Sequence, residues 1–209
     1  ITYELNNNYW AKNIPIKKGT ENFRTIQYQY YKDRSIEREA FKSNNIDFFS
    51  ENSSKEWATS YEIPALKNKL LKKELIEHEN PQGMQGFAFN IRKNIFKDRR
   101  VRKALSYVFD FNWTNKNLFY DAYKRTNSFF ENSELASSGL PSKKELDYLT
   151  PYMDVLPKEI FTNEYNPPST DGSGYIRSEL KEASKLLQNS GWELIDGELK
   201  NKISGKKFE

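Results

Sequence analysis

Few residues in this 209-residue chain are of the types that make or break bonds. His78 is the single histidine, and it lies between Glu77 and Glu79. A metal centre needs several convergent ligands, and a nucleophilic dyad needs both a nucleophile and an orienting group. His78 has neither in its sequence neighbourhood and reads as a surface residue. Cysteine is absent, which removes disulfides, thiol catalysis and thiolate metal sites. Glu131 and Glu134 are a carboxylate pair of the kind a glycoside hydrolase sets across a sugar, but that chemistry depends on a separation in space that spacing along the chain does not fix. With 29 acidic residues, such neighbours are expected by chance. Gly172-Ser173-Gly174 precedes a helical pattern, yet neither GxxxxGK[ST] nor GxGxxG is present, so it reads as a flexible joint. No catalytic residue, cofactor or metal is expected.

Residues suited to holding a ligand are more plentiful. Glu51, Asn52 and Trp57 combine an acid, an amide and an indole in one short stretch. Peptide capture asks for groups that hydrogen-bond a backbone and for aromatic walls around variable side chains. Arg125, Ser128, Phe129 and Phe130 add a cation, a hydroxyl and two rings in a stretch without periodicity, and a guanidinium there could pair with a carboxylate or a phosphate. Asn90 closes an aromatic run and could bond a ligand backbone. The run itself, Gln85 to Ile91, approximates the basic-Gly-aromatic-small-Phe strand of an RNA-binding module. It departs from that pattern at Gln85 and Asn90 and has no second aromatic motif at the right distance.

Local signals indicate the elements that must position these groups. Ile1 to Leu5 alternates as a strand, and so does Phe23 to Tyr31, with Ile26, Tyr28 and Tyr30 on one half-buried face. Asp33 is placed to cap a helix that buries Ile36, Ala40 and Phe41, with Asn44 or Asn45 ending it in the left-handed conformation. Ile46 to Phe49 reads as a strand, Glu51 to Thr59 as a loop at its carboxyl end, Pro64 to Leu71 as a short helix, and Lys72 to Glu79 as a strand. Gly86 to Ile91 follows as an aromatic strand. Asp98 then caps a helix whose Val101, Ala104, Leu105 and Val108 share a face, and Asn112 is placed to cap the next. Pro141-Ser142 opens a further helix. Pro151 to Pro168 is an irregular arm. Ile176 to Leu187 forms an amphipathic helix ended by Gly191, and Asp196-Gly197 turns a hairpin.

Composition sets outer limits. Hydrophobic residues are 36% and aromatic residues 15%, which suits a globular protein with wet aromatic surfaces. The net charge of +4, from 33 basic and 29 acidic residues, is mild and dispersed. The basic run Arg99, Arg100, Arg102 and Lys103 fits a solvated or ion-paired helix face, and no nucleic-acid partner is expected. No apolar run approaches membrane-spanning length.

Several of these motifs together resemble a known family. An apolar strand ending in Phe89-x-Asn90, a short loop, then Phe96-x-Asp98-x-Arg100-Val101-Arg102-x-Ala104-Leu105 and a later Asp110 is similar to the family 5 extracellular solute-binding proteins, the peptide receptors of ABC importers. The stretches Glu51 to Thr59 and Ser133 to Ser142 resemble its YejA-type branch, associated with peptides and peptide-like antibiotics such as microcin C. The resemblance covers essentially the whole chain. It implies an α/β, periplasmic binding protein-like fold of type II, a lobe with a mixed sheet and flanking helices, here as an incomplete chain. Residues 1–22 would end the first lobe, and 23–209 would form part of the second. It also implies a noncatalytic protein exported to the periplasm, with an oligopeptide or peptide-like ligand, ABC permease subunits and the remainder of the same receptor chain as partners. The RNA-binding module built on Gly86 to Ile91 and the glycoside hydrolase are the alternative readings.

Overall fold

A computed structural model describes residues 1–209. The chain divides into two compact units, Ile1–Lys72 and Lys73–Glu209.

In the first unit, β1 (Thr2–Glu4) pairs antiparallel with β2 (Thr25–Gln27), and Tyr3 lies opposite Ile26. Residues on both sides of position 22 therefore share one small sheet. A single 3-10 turn at Pro15–Lys17 interrupts the connection. Helix α1 (Arg34–Lys42) starts where the Asp33 carboxylate accepts from the Ser35 amide, the capping expected of Asp at that place. It ends before Asn44, whose φ of 64° is the left-handed conformation Asn tolerates. Helix α2 (Ser54–Thr59) is capped by Ser53, and α3 (Pro64–Lys67) begins with its proline. The core is aromatic. Phe41 stacks on Phe49 at 5.7 Å, and Tyr61 is buried between Phe41 and Trp57.

The second unit centres on helix packing. Helix α4 (Asn94–Lys97) leads into α5 (Arg99–Val108), capped by Asp98, and α6 (Phe111–Leu118) follows at once. Helix α7 (Lys143–Leu149) opens with a full capping box between Ser142 and Glu145. A 3-10 turn at Thr150–Tyr152, the short α8 (Glu159–Thr162) and the long α9 (Arg177–Asn189) complete the helices. Helix α5 packs on α9. Val101, Ala104 and Ala183 are buried there, while Val108, expected on the same face, is half exposed. Gly191 at φ 85° ends α9 and lets the chain turn into β3 (Trp192–Ile195), which pairs with β4 (Glu198–Asn201) across Asp196-Gly197. Both turn residues have positive φ, as a two-residue hairpin requires. Trp192 is buried edge-on against Phe208 at 4.8 Å.

Several expectations need correction. Ile46 to Phe49, Lys72 to Glu79 and Gly86 to Ile91 form no strand, and the sheets have two antiparallel strands each. A strand exists only through its ladder, and these β-prone runs find no partner in the chain. The strand-helix-strand succession expected before Glu51 is consequently not made. Glu51 to Thr59 is not a loop throughout, because Ser53 caps a helix over its last six residues, Ser54–Thr59. Ile26, Tyr28 and Tyr30 are exposed, not half buried. Helix α6 takes its cap from Asp110, which accepts from the Trp113 amide, while the Asn112 amide turns away to Ser169 and to the Thr170 carbonyl. Asp110 wins because its carboxylate precedes the first helical residue and reaches the free amide at the third position.

Candidate functional site

The residues expected to hold a ligand lie in both units: Glu51, Asn52 and Trp57 in the first, Asn90, Arg125, Ser128, Phe129 and Phe130 in the second.

In the first unit, Glu51 forms the centre of a buried polar knot. Its side chain is 2% exposed and that of Arg38 is 10% exposed. Arg38 Nε donates to Glu51 Oε2 at 2.8 Å, and the Tyr61 hydroxyl donates to the same oxygen at 2.9 Å. The Ser53 amide donates to Oε1 at 3.0 Å. Arg38 Nη1 lies 3.4 Å from Glu56 Oε2, and the Ser60 hydroxyl donates to Glu56 as well. Burial alone would raise the Glu51 pKa, but the donors Arg38, Ser53 and Tyr61 together hold it below the ordinary carboxylate range. The bond to Glu51 raises Arg38 further above its already high value. Burial, together with donation to Glu51, pushes the Tyr61 hydroxyl up to about 12. Glu51 is thus an ionised internal anchor that joins α1, the entry to α2 and Tyr61. Asn52, next in sequence, is exposed. Trp57 on α2 is half buried, with its ring 6.3 Å from Tyr61. The knot therefore fixes the segment that presents Asn52 and Trp57.

In the second unit, Arg125 is packed between rings. Its guanidinium carbon lies 5.5 Å from the ring centres of both Phe109 and Phe111. Its Nη1 is buried without a hydrogen-bond partner, and so is Oδ2 of Asp110, the residue between those two phenylalanines. Burial lowers the Arg125 pKa, and only Tyr165 opposes the shift. Ser128 is buried, and its hydroxyl accepts from the amides of Phe130 and Ser137. Glu131 accepts from the amides of Asn127 and Ser128. This ties a tight turn from whose tip Phe129 and Phe130 project, 73% and 55% exposed. The Asn132 amide crosses to the carbonyls of His78 and Asn80, and the Gln82 amide donates to the Glu131 carbonyl. Glu131 and His78 thus do structural work. Asn90 is exposed and closes a local turn, its Oδ1 accepting from the Arg92 amide at 3.1 Å. Phe89 packs on Phe96 at 5.2 Å, whereas Phe87 is 96% exposed on an unpaired segment. The four-stranded stacking platform of an RNA-binding module is not formed.

The three arginines of the basic run on α5 are engaged internally. Arg99 pairs with Glu159, Arg100 with Asp98 and the Asn189 carbonyl, and Arg102 with the carbonyls of Phe96 and Lys97. No group of three or more acidic or histidine side chains is arranged to hold a metal ion.

One feature carried no signal in the sequence motifs. A groove of about 750 Å³ lies in the first unit, lined by Tyr3, Tyr9, Tyr28 and Tyr30 together with residues of the loop from Asn6 to Glu21. The pairing of β1 with β2 brings Tyr3 edge-on to Tyr28 at 5.7 Å.

Residues 1–208 match the family described as bacterial extracellular solute-binding proteins, family 5 middle. The chain is 43% identical over 206 residues to YejA of Escherichia coli K12, an alignment covering 99% of this chain and 34% of that protein. It is 40% identical over 211 residues to the probable peptide-binding protein YejA of Agrobacterium fabrum, covering 100% of this chain and 34% of that protein. The peptidoglycan-binding protein YepA of Agrobacterium fabrum is 34% identical over 207 residues, covering 95% of this chain and 34% of that protein. The chain therefore spans about a third of the length of the curated relatives it matches.

Proposed function

Because this chain belongs to the family 5 bacterial extracellular solute-binding proteins, whose fold is periplasmic binding protein-like, we propose that it is part of a receptor that captures oligopeptides or peptide-like compounds and passes them to an ABC permease. The observation that carries this reading is the 40% identity, along the whole chain, to a probable peptide-binding protein. The name of the peptidoglycan-binding relative is in keeping with a ligand that contains peptide. Microcin C-like peptides belong to the same ligand class. The receptor works in the periplasm and carries out no chemistry on its guest. No helix is long and apolar enough to cross a membrane.

In the first unit, Asn52 and Trp57 are the contact residues and Glu51 holds them in place. In the second unit, Asn90, Phe129 and Phe130 offer contacts, Ser128 shapes their turn, and Arg125 reads a ligand carboxylate or carbonyl. As in any two-state clamp, ligand stabilises the closed population through its differential affinity. The full-length receptor should therefore melt at higher temperature with short peptides present, since a ligand at about 100 times its Kd adds about 2.7 kcal/mol. A peptide library that leaves the melting temperature unchanged would exclude the peptide-receptor reading.

A further inference from the structure

Net charge, expected to be dispersed, is concentrated in one stretch of the second unit. Arg92 to Lys103 holds seven basic residues and one acid, a net of +6. The whole chain is +4, so the residues outside the stretch sum to −2. Arg92 and Lys93 lie in the turn before α4, Lys97 ends α4, and Arg99 and Lys103 stand on α5. All five are exposed. Val101 and Ala104 are buried where α5 packs on α9. At about 3.6 residues per turn, Arg99 and Lys103 come out on the opposite side of α5.

The fold does not account for this density. The ion pairs in the stretch are Arg99 with Glu159 at 3.4 Å, both side chains more than half exposed, and Arg100 with Asp98. Exposed pairs of this kind contribute little. Arg92, Lys93, Lys97 and Lys103 form none. Helix α5 gains nothing from its arginines either. Arg99 and Arg100 occupy its first turn, where no acid follows the Asp98 cap and where the helix macrodipole disfavours positive charge.

We propose that Arg92 to Lys103 is a membrane-surface site that takes the phosphate headgroups of anionic phospholipids. Basic clusters of this size are drawn to anionic lipid, each cation adding to the attraction. Ile91, next to Arg92, is 61% exposed and supplies an apolar contact at the headgroup boundary. The four unpaired cations come from the turn, from α4 and from α5, on long side chains that no partner holds in place. That suits mobile headgroups, which move to meet the charge, better than the fixed acids of a protein surface. A nucleic-acid partner would ask for rings beside the cations to stack on bases, and the nearby rings of Phe89 and Phe96 pack on each other. The proposal goes beyond the peptide reading and uses no ligand.

Co-sedimentation of the unlipidated full-length receptor with vesicles tests it. The receptor should partition onto vesicles of equimolar phosphatidylglycerol and phosphatidylcholine and not onto pure phosphatidylcholine. Binding should be lost between 0.1 M and 1 M salt, as the screening length falls from about 10 Å to about 3 Å. Reversing two free cations together, Arg92→Glu with Lys93→Glu, should lower the partition coefficient at least about tenfold. Lys143→Glu with Lys144→Glu makes the same charge change on exposed residues of α7 and should leave most of the binding in place. Both variants should keep the wild-type melting temperature, since none of the four side chains is buried. Equal binding to the two kinds of vesicle, or equal losses in the two variants, would overturn the proposal. So would a receptor that ignores vesicles and instead binds an acidic peptide through the same cations. Vesicle binding by a receptor that takes up no peptide would leave this proposal standing and remove only the ligand assignment.

Discussion

At the scale of single residues, the two clusters differ in how they treat charge. The Glu51 carboxylate is saturated by Arg38, Tyr61 and the Ser53 amide. Removing one member of a buried pair leaves the other uncompensated. Glu51→Gln should cost the full-length receptor about 3 kcal/mol in urea unfolding. Linkage gives the sign of the pH effect. The folded pKa of Glu51 is below its ordinary value, so its contribution is complete above the ordinary carboxylate range and is lost as pH falls through the lowered folded value. Urea midpoints should fall on acidification in the wild type, and less steeply in Glu51→Gln. Arg125 is the opposite case: it is half buried on two rings with Nη1 unsatisfied. Arg125→Met keeps most of the packing volume and removes the donors. If Arg125 reads a ligand, peptide affinity should fall about tenfold or more by calorimetry while the melting temperature changes little. Unchanged affinity would return Arg125 to a packing role.

At the scale of elements, capping decides where helices begin. Asp110 caps α6 through the Trp113 amide and also accepts from the Thr170 hydroxyl at 2.6 Å. It therefore joins the start of α6 to the segment before α9. Asp110→Ala should destabilise the receptor by about 1–2 kcal/mol in denaturant unfolding. The same stretch is held close by Gly174, whose φ is 84° and where a Cβ would lie 3.0 Å from the Trp113 ring. The Gly172-Ser173-Gly174 run is accordingly explained by backbone conformation and close approach to α6, with no phosphate needed. The exposed Phe129 and Phe130 are likewise a product of element design, because the Ser128 and Glu131 side chains bond the amides that set their turn.

At the scale of the whole molecule, exposed apolar surface is the dominant property. Phe87, Tyr175 and Ile203 are almost fully open, and Tyr3, Tyr28 and Tyr30 of the first unit are more than half exposed. Patches of this kind bind other apolar surfaces. The isolated 209-residue segment should therefore enhance the fluorescence of an apolar dye such as ANS strongly, and it should bind peptide weakly or not at all by calorimetry. Tight binding by the segment alone would show that it encloses a ligand without the remainder of the receptor.

What the amino-acid order determined by itself is largely local. Asp33, Asp98 and Ser142 were legible as helix starts, Asn44 and Gly191 as helix ends, and Asp196-Gly197 as a hairpin, because each acts through hydrogen bonds or dihedral angles within a few residues. Family membership was legible too, since ordered motifs survive along the whole chain. Tertiary structure alone decided the rest. Gly86 to Ile91 has the composition of a strand but no ladder, because a strand needs a partner distant in sequence. Glu51 looked like a ligand contact by residue type, and its surroundings became clear only when α1 brought Arg38 against it across 13 positions. The tyrosines of the groove come from two stretches, Tyr3 and Tyr9 in one and Tyr28 and Tyr30 in the other, that meet through the β1–β2 register. Short-range chemistry can be read one residue at a time, whereas burial and pairing belong to the assembled surface.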